Sequence, residues 1–212
     1  MAAPARTRIR PPTCAAPLPC GAFEIKESNS DMPHKQARPS VFIRPPARDD
    51  EAEFLALMRA SERLHRGLVS PPRQSPDFAK FLEHSDRPDS VWLLVCREED
   101  ERIVGAFHLS QIFYGNFRSA YMGYYAGGPY AGRGYMSGAM RLVLRHAFLC
   151  LKLHRVEANI QPGNAASIAL VRRAGFSREG FSPRYLKIGG RWRDHERWAM
   201  LREDWKRVSS KQ

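Results

Sequence analysis

Residues 121–136 read Tyr121-Met122-Gly123-Tyr124-Tyr125-Ala126-Gly127-Gly128-Pro129-Tyr130-Ala131-Gly132-Arg133-Gly134-Tyr135-Met136. An apolar, aromatic run of strand type enters a loop carrying Gly127, Gly128, Gly132 and Gly134, and a helix follows at once with Met136, Met140, Val143, Leu144 and Ala147 on one face. Glycines let a backbone approach a ligand closely, and the first N–H groups of a helix have no partner inside it. Strand, glycine loop and helix together form a cradle suited to a pyrophosphate. The loop is not a Walker A motif, because no Lys-Ser/Thr pair follows. Nor is it a dinucleotide fingerprint, because no repeated βαβ pattern with a ribose-binding acid surrounds it.

Working outward, the chain before this junction reads as two helices and a β meander. Val41-Phe42-Ile43-Arg44-Pro45 is a short strand stopped by proline. Asp49 is placed to cap a helix with Phe54, Leu57, Met58 and Leu64 at helical spacing, and Ser75-Pro76-Asp77 starts a second helix with Phe78, Phe81 and Leu82. Val91–Cys96, Arg102–Leu109 and Ser119–Tyr125 are strands joined by a charged turn and by Gly115-Asn116. After the junction come a strand over Arg155–Ile160, a helix opened by Asn164 and closed at Gly175, and a hairpin turned by Gly189-Gly190. The expected class is α+β, a mostly antiparallel mixed sheet flanked by about four helices in one domain over residues 40–205.

The ends read differently. Residues 1–38 are rich in Pro, Ala, Arg and Ser without periodicity and are expected to form a disordered tail, with Met32 an alternative start. Residues 206–212 are expected to be a polar tail.

The 212-residue chain contains 34 Lys and Arg against 22 Asp and Glu, a net +12. Twelve of the cations and only five of the acids fall in residues 172–212, so the positive excess is a property of the C-terminal fifth. Such a region attracts phosphate-bearing ligands or RNA, or is simply a solvated, Arg-rich surface. No apolar run approaches the ~20 residues of a membrane span, and Pro and Arg interrupt any leader-like stretch at the N-terminus. Four cysteines without zinc spacing suggest a reducing, cytoplasmic setting and no metal. Cys96 and Cys150 end apolar runs and read as buried.

A second motif follows the cradle: Asn164-Ala-Ala-Ser167-Ile-Ala-Leu-Val-Arg-Arg-Ala-Gly-Phe176. The two motifs together resemble the acetyl-CoA-binding motifs of the GNAT superfamily of N-acetyltransferases, over roughly residues 40–205. Finer detail is similar to the RimJ/RimL-type ribosomal-protein alanine N-acetyltransferases, nearest the RimJ branch. The matching residues include Gly115-Asn116-Phe117, Gly123-Tyr124, Gly132-Arg133-Gly134-Tyr135-Met136, His154-Arg155-Val156 and Ala158-Asn159. Glu179-Gly180, Tyr185-Leu186 and Gly190-Arg191-Trp192-Arg193-Asp194-His195 extend the match.

The resemblance implies direct acetyl transfer from acetyl-CoA to an amine, without an acyl-enzyme and without metal. Backbone amides of Ala131, Gly132, Arg133, Gly134, Tyr135 and Met136 would hold the pyrophosphate. The strand at Tyr124, Tyr125 and Ala126 would flank pantetheine and offer an N–H to the thioester oxygen. Asn164 would bond the pantetheine arm, and Ser167 would stand near the thiol as donor or acid. The residues departing from the pattern are Ala131, Val171, where a tyrosine acid is usual, and Arg184, where an acid is usual. The general base is therefore open among Glu157, Tyr185 and a water held by Asn159, with Glu157 equally readable as a structural partner of an arginine and Tyr185 as hairpin packing.

The implied acceptor is the N-terminal α-amine of a protein, ribosomal by resemblance, with a small first residue such as Ala or Ser. The basic C-terminal region would approach ribosomal RNA, the protein acting as a monomer or homodimer. A small amine acceptor (an antibiotic, polyamine or amino acid) and a non-catalytic relative are the alternatives. Arg155 is read as part of a structural ion pair, Trp192 and Trp198 as packing the hairpin onto the core, and Asp194-His195 as structural.

Overall fold

Alternating apolar residues build seven strands into one sheet in the computed structural model, which describes residues 39–210. The strands are β1 (Val41–Arg44), β2 (Val91–Arg97), β3 (Ile103–Phe113), β4 (Ser119–Ala126), β5 (Arg155–Ile160), β6 (Ser177–Ile188) and β7 (Arg191–Leu201). Their order is β1-β2-β3-β4-β5-β7-β6. Every pairing is antiparallel except β4 with β5. The expected meander is β2-β3-β4 and the expected glycine-turned hairpin is β6-β7. The tail read over residues 1–38, with Met32, lies outside the described residues.

One feature of register positions the site. β4 and β5 share three rungs, Ser119 with Arg155, Ala120 with Val156 and Tyr121 with Glu157, and then part. β5 remains paired with β7 along its whole length, and β4 with β3. The strands therefore fork, and the backbone of Met122–Ala126 has no neighbour on its β5 side.

Helices cover both faces, as the two periodicities require. They are α1 (Glu51–Ala60), α2 (Glu62–His65), α3 (Ser75–Ser85), α4 (Tyr135–Arg145), α5 (Ala165–Ala174) and α6 (Arg202–Ser209). Leu93, Val95, Phe107, Leu109 and Met122 point to one face, into a core shared with Met140 and Val143 of α4 and Leu170 and Val171 of α5. Leu94, Cys96 and Ala106 point to the other, against Phe54 and Met58 of α1 and Phe78 and Phe81 of α3. Each fully buried side chain of this size contributes about 1.5–3 kcal/mol.

Three expectations need correction. The first helix does not run on to Leu64. It breaks at Ser61, whose hydroxyl donates to the Leu57 carbonyl at 2.6 Å and accepts from the Gly128 N–H at 2.7 Å. A long-range polar bond thus overrides local helical spacing. The acid at the start of that helix is Asp50 rather than Asp49. Asp50 is buried, takes two bonds from the Arg44 guanidinium at 2.6 and 2.7 Å and accepts from the Ala47 N–H. Finally, residues 206–209 are helical, not a polar tail. Trp205 packs on Phe148, with ring centroids 5.4 Å apart, and acids in the first turn with bases in the last complement the α6 dipole.

Candidate active site

The fork opens into a cleft of about 1020 Å³ lined from β3, β4, β5, β6, α2, α4 and α5 and from the loop after β4. The pyrophosphate-type cradle forms one end. Gly134 sits at the N-cap of α4 with φ +89°, a left-handed conformation that leaves little choice but glycine. Within the loop the Ala131 N–H bonds to the Gly128 carbonyl at 3.2 Å and the Arg133 N–H to the Tyr130 carbonyl at 3.4 Å. The N–H groups of Gly132, Gly134, Tyr135 and Met136 have no acceptor among the described residues. Four of the six amides anticipated from the sequence are thus free for an anion, while those of Ala131 and Arg133 are spent shaping the loop. Arg133 does not line the cleft. Arg97 steadies the loop from outside. Its guanidinium lies 5.3 Å from the Tyr130 ring centre.

Beyond the cradle, α5 presents Asn164 and Ser167. The Asn164 side-chain oxygen caps α5 by accepting from the Ser167 N–H at 3.1 Å, so the amide N–H₂ is what remains for a ligand. The Tyr124 phenol, buried on β4, lies against Ser167. Burial pushes this phenol up to about 12, and it stays protonated at neutral pH.

The opposite side of the sheet is lined by histidines and tyrosines. His65 is 3% exposed, and its Nε2 bonds the Ala126 carbonyl at 2.9 Å, which places the proton on Nε2 and leaves Nδ1 as an acceptor. His108 stacks on Trp92 at 4.3 Å and lies over Gly123, where a Cβ would meet the ring at 2.3 Å. Burial alone pulls His108 down to about 4, so it is neutral. His195, on β7, is 2% exposed, and its Nδ1 donates to the Arg193 carbonyl at 2.9 Å. Its Nε2 then carries the lone pair, and burial keeps this imidazole below its ordinary pKa too. Tyr185 stands beside His195, with ring centres 6.0 Å apart, and beside Tyr121 at the last rung before the fork, whose phenol it helps hold above its ordinary pKa.

Among the described residues seven buried side-chain polar atoms lack a partner. Four of them belong to residues that line the cleft: His65 Nδ1, His108 Nδ1, Tyr124 Oη and Asn159 Oδ1. Buried polar atoms are normally paired, so this clustering marks a surface shaped for a polar ligand. Among the described residues no Asp or Glu lines the cleft, and the Lys and Arg that do are Arg173 and Lys187.

Of the residues expected from the sequence, Tyr125, Ala126, Ala131, Gly132, Gly134, Tyr135, Met136, Asn164, Ser167 and Tyr185 line the cleft together. Glu157 does not. Its carboxylate accepts from the Arg155 Nε at 2.7 Å, and Arg155 also bonds Glu179, so the ion-pair reading of Glu157 and Arg155 describes what is seen. Trp198 is buried as expected, whereas Trp192 is 61% exposed because the hairpin tip projects beyond the core. Cys96 is buried and Cys150 only partly so. Sequence reading passed over Tyr121, His65 and His108, gave Tyr124 only a place on the strand beside pantetheine, and took His195 for structure. They are scattered over α2, β3, β4 and β7, and each is locally only a ring in an apolar element, which a packed core would give equally.

A family model described as an acetyltransferase (GNAT) domain matches residues 40–177. A probable N-acetyltransferase, YjcK of Bacillus subtilis, is 34% identical over 62% of this chain and 72% of its own. The [ribosomal protein uS5]-alanine N-acetyltransferase of Escherichia coli is 36% identical over 50% of this chain, a match that spans 55% of that enzyme. Mycobacterium smegmatis RimJ in complex with CoA-disulfide superposes with a TM-score of 0.72 at 26% identity, over 82% of this chain and 90% of that one. A spermidine N-acetyltransferase from Vibrio cholerae, in complex with CoA and spermine, shares the fold at 20% identity and a TM-score of 0.68 over 78% of this chain and 98% of that one. With the forked sheet, the glycine cradle before α4 and the Asn-capped α5 all in place, the chain belongs to the GNAT family and is an acetyltransferase.

Proposed function

We propose that this protein transfers the acetyl group of acetyl-CoA directly to the N-terminal α-amine of a protein, ribosomal in kind, whose first residue is small, such as Ala or Ser. The observation that carries the choice of acceptor is that no carboxylate among the described residues lines the cleft wall. A polyamine holds several positive charges and needs acids to receive them; Arg173 and Lys187 would repel it. An α-amine has a pKa of about 7.7–8.0, so a useful fraction is neutral at physiological pH and requires no counter-ion. The similarity to the uS5-alanine enzyme supports the same acceptor class.

The residues present fit acetyl-CoA. The free amides of Gly132, Gly134, Tyr135 and Met136 would hold its pyrophosphate, and the open edge of β4 at Met122–Ala126 would lie along the pantetheine. When bound, the cofactor supplies a thioester whose acetyl carbon the amine attacks, the C–N bond forming as the C–S bond breaks. The protein's own share is orientation and proton handling. Asn159 Oδ1, unpartnered at the fork, accepts from the incoming amine. His195 Nε2, with its tautomer set by Arg193, takes the amine proton, and Tyr185 positions that exchange between His195 and Tyr121. On the other face Tyr124 and Ser167 hold hydroxyl protons ready for the departing sulfur.

Charge in residues 172–212 supports an encounter with the substrate steered by ribosomal RNA, and the reading places the reaction in the cytoplasm. No helix among the described residues is long and apolar enough to cross a membrane. The test is incubation with acetyl-CoA and a pool of ribosomal proteins and peptides with free Ala, Ser, Thr or Met termini, followed by mass-spectrometric mapping of the modified nitrogen. Acetyl groups confined to α-amines of small first residues are expected. Transfer only to spermidine or to another small amine would overturn the proposal.

A further inference from the structure

The end of α2 and the loop after it form part of the cleft wall on the histidine side of the sheet. Leu64, His65, Leu68, Val69 and Ser70 all line the cleft. Leu64, Leu68 and Val69 are only half-buried, so apolar surface of this segment stays open to whatever enters. The loop is shaped locally by the His65 carbonyl, which accepts from the N–H groups of Leu68 at 2.9 Å and Val69 at 3.1 Å, with Gly67 at φ +74° making the turn. It is anchored to β4 by His65 Nε2, which donates to the Ala126 carbonyl. All of these bonds stay within the segment or reach the β1–β4 part of the sheet.

A single side chain ties the same loop to the other part. Gln161 directly follows β5, and its Nε2 donates to the Gly67 carbonyl at 2.9 Å and to the Leu68 carbonyl at 3.2 Å. Both partners are acceptors, so the amide must present its nitrogen and spends both N–H groups here. No other hydrogen bond among the described residues joins residues 64–70 to β5, β6 or β7. The tether crosses the gap that the fork opens, because β4 and β5 last pair at Tyr121 and Glu157. Gln161 is half-buried and lines the cleft. Asn159, the proposed acceptor of the amine, lies two residues back on the same face, about 7 Å along the strand. The loop is thus held against the strand that carries the amine's partner.

Resting on the reading of the acceptor as a protein N-terminus received at Asn159, we infer that Gln161 is a positioning residue that sets the size of the first residue the enzyme takes. By holding the Gly67 and Leu68 carbonyls to β5, it keeps Leu68 and Val69 close over the acceptor's first side chain and excludes a large one. An apolar wall discriminates by size only if it cannot retreat, and then by about 10- to 200-fold per methylene. With the tether cut, the loop keeps its turn and its bond to Ala126 but is free to swing away from β5.

The experiment compares peptides that differ only in their first residue, Ala, Leu or Phe, with the wild type and with Gln161→Ala, Gln161→Glu and Gln161→Lys. Glu keeps the length of the side chain but offers the two carbonyls no N–H, whereas Lys restores a donor. In the Ala and Glu variants KM for the Ala peptide is expected to rise about tenfold with kcat changed less than about threefold, and the preference for Ala over Leu to fall about tenfold. The Lys variant should keep most of the wild-type preference, and calorimetric affinity for CoA should be the same in all four proteins. Amide exchange should quicken at residues 66–70 in Gln161→Ala while the strands stay protected, a readout independent of activity. Wild-type selectivity in Gln161→Glu, or unchanged exchange in the loop, would overturn the inference. So would a joint loss of kcat, acceptor KM and CoA affinity, the mark of a fork loosened as a whole. Equal acetylation of the three peptides by the wild type would overturn it and leave α-amine acetylation standing. Failure to acetylate the α-amine of any peptide would sink the acceptor reading, and this inference with it.

Discussion

The Tyr124 phenol on β4 lies against Ser167 in the first turn of α5, so two hydroxyl groups from different elements meet on the side of the fork where the cradle lies. Tyr124→Phe removes one of them with little change in shape. It should lower kcat about 10- to 100-fold while the calorimetric affinity for CoA changes less than about threefold. Ser167→Ala should behave alike, and the double variant should lose much less than the product of the two, because the residues act as a unit. A loss of affinity without a loss of turnover would make both residues cofactor contacts only.

Gly134 carries φ +89°, and an added Cβ would meet Pro39 at 3.3 Å. Gly134→Ala should cost about 1–2 kcal/mol of backbone strain and tilt the amides of Tyr135 and Met136 away from the anion. Isothermal titration with CoA is expected to show at least a tenfold weaker complex. Unchanged affinity would mean that the phosphates are held elsewhere.

Gly123 and His108 occupy one space. An added Cβ at Gly123 falls 2.3 and 2.4 Å from the imidazole, and Trp92 blocks the ring's retreat by stacking on it. Gly123→Ala should destabilise the fold by about 1–3 kcal/mol in urea. Adding His108→Ser should recover most of that loss. If the second substitution deepens it, the clash is not the cause.

His108 also ties stability to pH. Its folded pKa is about 4, against 6.5 for the free side chain, so between those values the unfolded chain binds a proton that the folded chain refuses. Stability is full above pH 6.5 and falls as the pH drops toward 4. In all, about 2–3 kcal/mol should be lost by pH 4.5 through this residue. Urea titrations at pH 7 and pH 4.5 should show a smaller drop for His108→Gln than for the wild type, by about that amount. Equal drops would mean that the imidazole is not buried in solution.

The parts of this architecture legible in the sequence are those decided locally. Gly134 and Gly175, both in left-handed conformations, punctuate α4 and α5, and Gly189-Gly190 turns the hairpin, so loop, helix and hairpin could be read from single residues. What escaped depends on distant partners. Ser61 ends α1 because Gly128, far along the chain, donates to it. Trp205 and Val208 make α6 amphipathic, but two apolar residues among charges carry little periodic signal until Phe148 and Gly175 are placed beneath them. The same holds at the site. Glu157 has the right chemistry for a base and the right strand, yet Arg155 two residues earlier claims its carboxylate. His195 looks like part of a hairpin motif until burial and the Arg193 carbonyl give its two nitrogens different roles.

Three rungs are all that join β4 to β5, so the seven strands behave mechanically as two plates, β1 to β4 and β5 to β7, riveted at Tyr121 and Glu157. A molecule held by the open β4 edge on one plate and by Asn164 and Ser167 of α5, which follows β5, on the other acts as a keystone between them. Cofactor should therefore couple the two plates, so that order gained on one side of the fork is passed to the other. It should also slow amide exchange along Ala158–Ile160 as well as along Met122–Ala126, though only the latter edge would run beside pantetheine.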